Sequence, residues 1–195
     1  MENLTGNVPR RRDTIITAPK MTVNRCSPPT RGTSDCAQRL WYTFLVSLIE
    51  AVPNVSEGKH AGIIEALTVA VSNAADVELL NRSSDAAHNR TVFTLVGTPA
   101  GLTNALVALY DVAVNNIDLR THRGEHPRIG AVDVIPLVPL APTDMPLCVA
   151  TATRLAETIA SQFDVPVYLY ADTATRQNRS RLEVIRSGEF EGLSS

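Results

Sequence analysis

Two strand-like runs follow one another directly between two helix-like runs, and that order leaves few folds open. Val77 to Leu80 reads as a short strand and Arg90 to Val96 (RTVFTLV) as a second, ended by Gly97. The polar stretch Asn81–Asn89 joins them, which predicts an antiparallel pair. On one side, residues 60–74 carry Ile63, Ile64, Leu67, Val71 and Ala74 at helical spacing. On the other, a helix over 99–116 starts near Pro99, where an N1 proline belongs. Its apolar face is Leu102, Leu106, Leu109, Val112 and Ala113. Leu48–Val52 reads as a strand stopped by Pro53 and Asn54, and Val132–Leu140 as one limited by Pro136 and Pro139. A helix over 144–162, a buried strand Val165–Tyr170 and a helical turn or two at 180–187 complete the order. The result, β-α-β-β-α-β-α-β, predicts an α/β (α+β) fold: a ferredoxin-like, split β-α-β mixed sheet with helices packed on it.

Residues 1–45 differ from the rest. They are rich in Thr, Ser, Pro and Arg, including Arg10, Arg11, Arg12, Arg25 and Arg31, and show almost no hydrophobic periodicity. Such a segment buries too little apolar surface to offset its ordering entropy, so a disordered extension is expected before a domain at 46–195. Its composition is also that of an organellar transit peptide, although Glu2 and Asp13 are acidic and no amphipathic helix stands out. Cys36–Leu45 is compatible with either a short helix or a lead-in strand. The body is 44% hydrophobic with a net charge of −2, without the basic footprint of a nucleic-acid binder. Its longest apolar run, Leu40 to Ile49, is about half of what a membrane-spanning helix needs. Cys26, Cys36 and Cys148 form no C-x-x-C pair, and their odd number fits a reducing, cytoplasmic setting. A small molecule is the expected partner.

The segment Thr121-His122-Arg123-Gly124-Glu125-His126-Pro127-Arg128-Ile129-Gly130 concentrates the chemistry. Pro127 restricts His126 to extended conformations, so its imidazole is projected from a stiffened loop rather than a helix. Histidine titrates near neutral pH and can accept and return a proton in one turnover. Arg123 and Arg128 can fork onto a carboxylate, and Glu125 can orient a donor or the imidazole. A solvated loop of structural salt bridges is the plain alternative. Val52-Pro53-Asn54-Val55-Ser56-Glu57-Gly58 lies between a strand and a helix; Asn54 and Ser56 suit turning and capping, yet such turns also face ligands. Asn89 and Arg90 lie where a strand begins, with Arg90 either a clamp or a surface charge. His88, His122 and His126 could make a metal site, but Gly124 and Pro127 disfavour a shared helical face, and no metal is expected.

The segments AVPNVSEG (51–58), HNRTVFTLVG (88–97), RGEHPRIGAVDVIPLVPL (123–140), VPVYLY (165–170) and IRSGEFEGL (185–193) resemble the amino-terminal subdomain of the formiminotransferase family. G-E-H-P-R followed by G-A-V-D is the specific part, and the likeness covers about residues 47–193. The resemblance implies formimino transfer from N-formimino-L-glutamate to tetrahydrofolate, a co-substrate, without a metal. It implies a catalytic base or acid at His126 and cleft residues at Asn54, Ser56, Glu57, Asn89, Arg90 and Arg128. In the family the folate lies between two subdomains. The resemblance therefore also implies a second wall, from a homodimer or a partner chain. A non-catalytic folate- or acid-binding relative is the competing expectation.

Overall fold

The computed structural model describes residues 14–18, 47–125, 127–188 and 190. Seven strands form one sheet: β1 (Thr14–Ala18), β2 (Ile49–Ala51), β3 (Asn54–Val55), β4 (Val77–Asp85), β5 (Arg90–Gly97), β6 (Val132–Pro139) and β7 (Val167–Ala171). The helices are α1 (Ala61–Ser72), α2 (Pro99–Asn116), α3 (Met145–Phe163) and the short α4 (Leu182–Ile185). Across the sheet the strands run β4, β5, then β2 with β3, then β6, β1 and β7. The unit from β2 to β6 is the expected split β-α-β: α1 carries the chain past β5 to β4, and α2 carries it from β5 past β2 and β3 to β6.

Expectation and structure part at three strands. The first does not end at Pro53. β2 and β3 are one strand interrupted there, both pairing antiparallel with β5 on one side and β6 on the other. Val52 donates its N–H to the Pro136 carbonyl (2.9 Å) and the Pro53 carbonyl accepts from Phe93 (3.1 Å). Neither proline has an N–H to give back, so the ladder thins at that height without the strand turning away.

The second difference is β4, which continues to Asp85 and pairs with β5 as far as Asp85–Arg90. Its outer half is exposed, and an edge strand in solvent takes polar residues that look like a loop. A register shift between Leu79 and Asn81 adds to the disguise.

The third is β1. Thr14–Ala18 does not stand outside the fold as expected; it pairs in parallel with both β6 and β7. Ile16 is fully buried. The remaining residues assigned to the extension, and with them Cys26 and Cys36, lie outside the described residues.

The core joins the sheet to α1, α2 and α3 through Leu67, Phe93, Leu95, Leu106, Leu109, Ile135 and Leu155, among others. α2 opens as its sequence predicts: Thr98 caps it, accepting the Gly101 N–H at 3.0 Å, and Pro99 follows. Cys148 is buried in α3, and desolvation, helped by nearby Asp144, pushes its thiol up to about 11, which leaves it an inert core residue. A second, smaller apolar cluster gathers Ile129 and Val134 with Tyr168, Tyr170, Leu182 and Ile185. It seats α4 and β7 next to the histidine-bearing loop. Among the described residues no helix is long and apolar enough to cross a membrane.

Candidate functional site

Three segments distant in sequence are knitted together at one end of the sheet: the turn after β3, the tip of the β4–β5 hairpin, and the loop of residues 118–131. Asn89, at the hairpin tip, is the hub. It sits in the left-handed region (φ 50°), a conformation asparagine tolerates better than most residues. Its Oδ1 accepts the Gly58 N–H at 2.8 Å, its Nδ2 donates to the Arg123 carbonyl at 3.1 Å, and its own carbonyl accepts from His122 Nε2 at 3.1 Å. The Lys59 ammonium adds a bond to the same Arg123 carbonyl (2.9 Å), and the Glu125 N–H reaches Ala87 O at 3.3 Å. Ser56 closes the far side, its hydroxyl donating to Gly130 O at 2.8 Å and its N–H to Ala131 O at 2.9 Å.

The two glycines of this junction are there for close approach. A Cβ on Gly124 would land on the His88 carbonyl oxygen and 2.8 Å from Asn89 Cβ. One on Gly58 would strike the Asp85 carbonyl and lie 2.6 Å from the Arg90 nitrogen. Gly124→Ala is accordingly expected to cost roughly 1–3 kcal/mol, because the loop must retreat from the hairpin. A urea titration with the midpoint unchanged would contradict this packing.

Glu57 is buried, and burial pushes its carboxyl up. Bonds from the His60 and Lys59 N–H groups (2.9 and 2.7 Å) and from His60 Nδ1 (2.8 Å) outweigh that and hold its pKa below the usual value. It serves the entry to α1, and Thr91 Oγ1 ties its carbonyl to β5 at 2.6 Å. Asn54 is likewise turned to its own backbone, donating to Val52 O at 2.9 Å.

His122 is buried too. Because its Nε2 faces a carbonyl, Nε2 must carry the hydrogen, and desolvation pulls its pKa below 6.5. A base with a lowered folded pKa binds its proton more readily when unfolded. Its contribution to stability is therefore present above 6.5 and is lost as pH falls through the folded value. The melting temperature is expected to drop between pH 7 and 5 more in the wild type than in His122→Gln, which keeps the donor and removes the titration. Equal drops would show that His122 is not the group responsible.

Beneath this frame lies Asp133, the lone charge in the apolar run of β6. Its Oδ1 accepts the Ile129 N–H at 2.9 Å and its Oδ2 pairs with Arg186 Nη2. Burial raises its pKa, opposed chiefly by the Arg186 charge. The Arg128 carbonyl, one residue before Ile129, accepts from Phe190 at 2.8 Å, so the chain's last described turns are fastened to the loop.

An open cavity of about 580 Å³ forms over the loop, lined by Arg120, His122, Arg123, Gly124, Arg128 and Phe190, among others. A narrower crevice below includes Ser56, Asn89, Arg90, His122, Arg128 and Asp133. The two are joined by His122 and Arg128. Three guanidinium groups around one opening make a setting for anionic ligands, carboxylates above all. Among the expected site residues, Arg123 and Arg128 line the cavity, and Ser56, Asn89, Arg90 and Arg128 line the crevice. Asn54, Glu57 and Glu125 line neither. Arg128 is buried, while Arg123 is exposed and folds back on its own backbone, donating from Nη1 to His122 O at 2.7 Å. His126 lies outside the described residues. Among those described, no three His, Cys, Asp or Glu side chains gather to hold a metal ion. His88 is engaged with Asp85 (2.8 Å) on the exposed hairpin tip. Sequence reasoning overlooked Lys59, Asp133 and Arg186. A charge inside an otherwise apolar strand was the signal that could have found Asp133.

Residues 48–195 match the family model described as formiminotransferase domain, N-terminal subdomain. The chain is 42% identical over 149 residues to the glutamate formimidoyltransferase of Streptococcus pyogenes serotype M1, covering 76% of this chain and 50% of that protein. It is 41% identical over 146 residues to the glutamate formimidoyltransferase of Thermoplasma acidophilum, 75% of this chain and 48% of the relative. The formimidoyltransferase-cyclodeaminase of Gallus gallus is 41% identical over 149 residues, 28% of its own length. The chain thus spans half or less of the length of these curated relatives. With the specific G-E-H-P-R and G-A-V-D residues inside a match that covers most of the sequence, the chain belongs to the formiminotransferase domain family, as its amino-terminal subdomain.

Proposed function

We propose that this chain supplies one wall of a formimino-transfer site, moving the group from N-formimino-L-glutamate to tetrahydrofolate with His126 as general base and acid. The observation that carries the reading is the framed loop. Residues 121–130, which bear G-E-H-P-R, are fastened by Asn89, Lys59, Ser56 and Asp133 beside an arginine-lined opening. A frame of this kind holds reacting groups in register, and orientation contributes several kcal/mol to lowering a barrier, on the order of 7–11 at its upper end.

The chemistry asks for little else. The formimino carbon is an amidine-like electrophile, and the N5 amine of the folate attacks it to form a tetrahedral intermediate. The attacking nitrogen loses a proton and the departing glutamate nitrogen gains one; His126 takes the first and returns it to the second. Arg128 and Arg90 anchor substrate carboxylates. Arg123 serves more through its carbonyl, which the hub residues hold, than as a free clamp. Tetrahydrofolate is a co-substrate, no metal enters the scheme, and the reaction runs in the cytoplasm. The relatives' greater length supports a second wall, contributed by another polypeptide or a second copy.

Titration calorimetry with tetrahydrofolate tests the reading first. Saturable heat is expected from this chain, stronger with the complementary subdomain added. Heat without turnover would favour a folate-binding protein that is not a catalyst, and no heat under either condition would remove folate from the account.

A further inference from the structure

The strand β1 comes from outside the residues that match the family, which begin at residue 48, yet it occupies an inner position in the sheet. Its backbone registers with both neighbours. Ile15 lies level with Val134 and Tyr168, Ile16 with Ile135 and Leu169, and Thr17 with Pro136 and Tyr170. Ile16 is fully buried in the main core, and its carbonyl lies 3.5 Å from Thr173 Oγ1. Strands are spaced roughly 4.8 Å apart, so β6 and β7 stand about two spacings, roughly 10 Å, from one another. Without β1 they would face each other across an open slot with unpaired backbone on both rims, the arrangement that captures extended peptides.

The contents of the slot bear on the site. β7 carries Tyr168 and Tyr170, which pack with Leu182 and Ile185 against Ile129, and Ile129 is tied to Asp133. The pairing of β1 with β7 is therefore one of the links holding that wall beside the loop at residues 128–130. Thirty residues lie between Ala18 and Ile49. At a reach of about 3.3 Å each, such a connection does not tie the strand to one geometry as a tight turn would.

We propose that the space between β6 and β7 is a strand-binding slot, and that Thr14–Ala18 is its ligand: an extended, β-branched segment held in cis and exchangeable for the same peptide in trans. The specificity is that of β-augmentation. Backbone bonds to two parallel neighbours supply affinity, and the pocket that buries Ile16 selects an aliphatic side chain at the middle position. The proposal stands independently of the transfer reading, because its readouts are pairing and peptide binding rather than catalysis.

Hydrogen exchange on the full chain comes first. The amides of residues 15–18 are expected to exchange at least about a hundredfold more slowly than in a free peptide, together with those of β7. Ile16→Asp should abolish that protection and allow a labelled peptide of residues 11–20 to bind saturably, while wild type leaves it free. Where the aspartate variant does not fold, Ile16→Ala serves, with partial loss of protection and weaker but measurable capture. Free-peptide exchange rates at 15–18 in the wild type would overturn the proposal. So would a folded variant that ignores the peptide, or a wild type that binds it as tightly as the variant does.

Discussion

Replacing His126 with alanine is expected to lower the transfer rate by roughly 10²–10⁴-fold while leaving the melting temperature close to that of the wild type. The size of the effect follows from what the side chain is asked to do. A positioned imidazole moves two protons in one turnover, and water or buffer replaces it poorly. The fold should tolerate the change because the hydrogen bonds that fasten this loop start from its neighbours. They hold the Arg123 carbonyl, the Glu125 N–H, the Arg128 carbonyl and the Ile129 N–H, and none uses the residue 126 side chain. Steady-state kinetics should show the loss in kcat more than in KM, since an interaction made only in the transition state has been removed. A variant with wild-type turnover would deny His126 the role proposed for it.

Arg186→Met is expected to be the most damaging single change to stability, costing roughly 3–5 kcal/mol at neutral pH. It leaves the Asp133 carboxylate buried without its counter-charge, with only the Ile129 N–H for company. The pH dependence gives this prediction its signature. Asp133 has a folded pKa raised above 3.8, so the native state holds a proton there that the unfolded chain has released, and stability falls as pH rises through the folded value. Without Arg186 that value climbs further. The penalty should therefore shrink as pH is lowered from 7 toward 5, where protonation relieves the stranded charge. Pairing the change with Asp133→Asn should recover part of the loss. Denaturant unfolding at several pH values reads all of this, and a penalty independent of pH would mean that Arg186 acts through packing instead.

The sequence showed some parts of this protein plainly and concealed others for physical reasons. Helices α1, α2 and α3 were legible because Ile64, Leu67 and Val71, or Leu102, Leu106 and Leu109, fall on one face at helical spacing. β5 was legible because Thr91, Phe93 and Leu95 alternate inward with half-exposed neighbours. β1 was not, since five residues bordered by proline-rich sequence owe their conformation to two ladders far along the chain. The outer half of β4 was hidden by its own polarity, which solvent on an edge strand permits. At the site, the G-E-H-P-R residues announced themselves, but the division of labour around them did not. Glu57 and Asn89 look like ligand-facing groups in one dimension. In three they spend their hydrogen bonds on His60, Lys59, Gly58 and Arg123. Asp133 and Arg186 are 53 positions apart, so no local pattern could join them.

The framed loop matters only if it serves transfer, and product formation measures that directly. The purified chain, alone and with the complementary subdomain supplied as a separate polypeptide, is incubated with N-formimino-L-glutamate and tetrahydrofolate. Appearance of 5-formiminotetrahydrofolate is then followed over time. The account predicts product in at least the complemented reaction, and its loss with His126→Ala. Absence of product from a complemented, folded, folate-binding protein would contradict it.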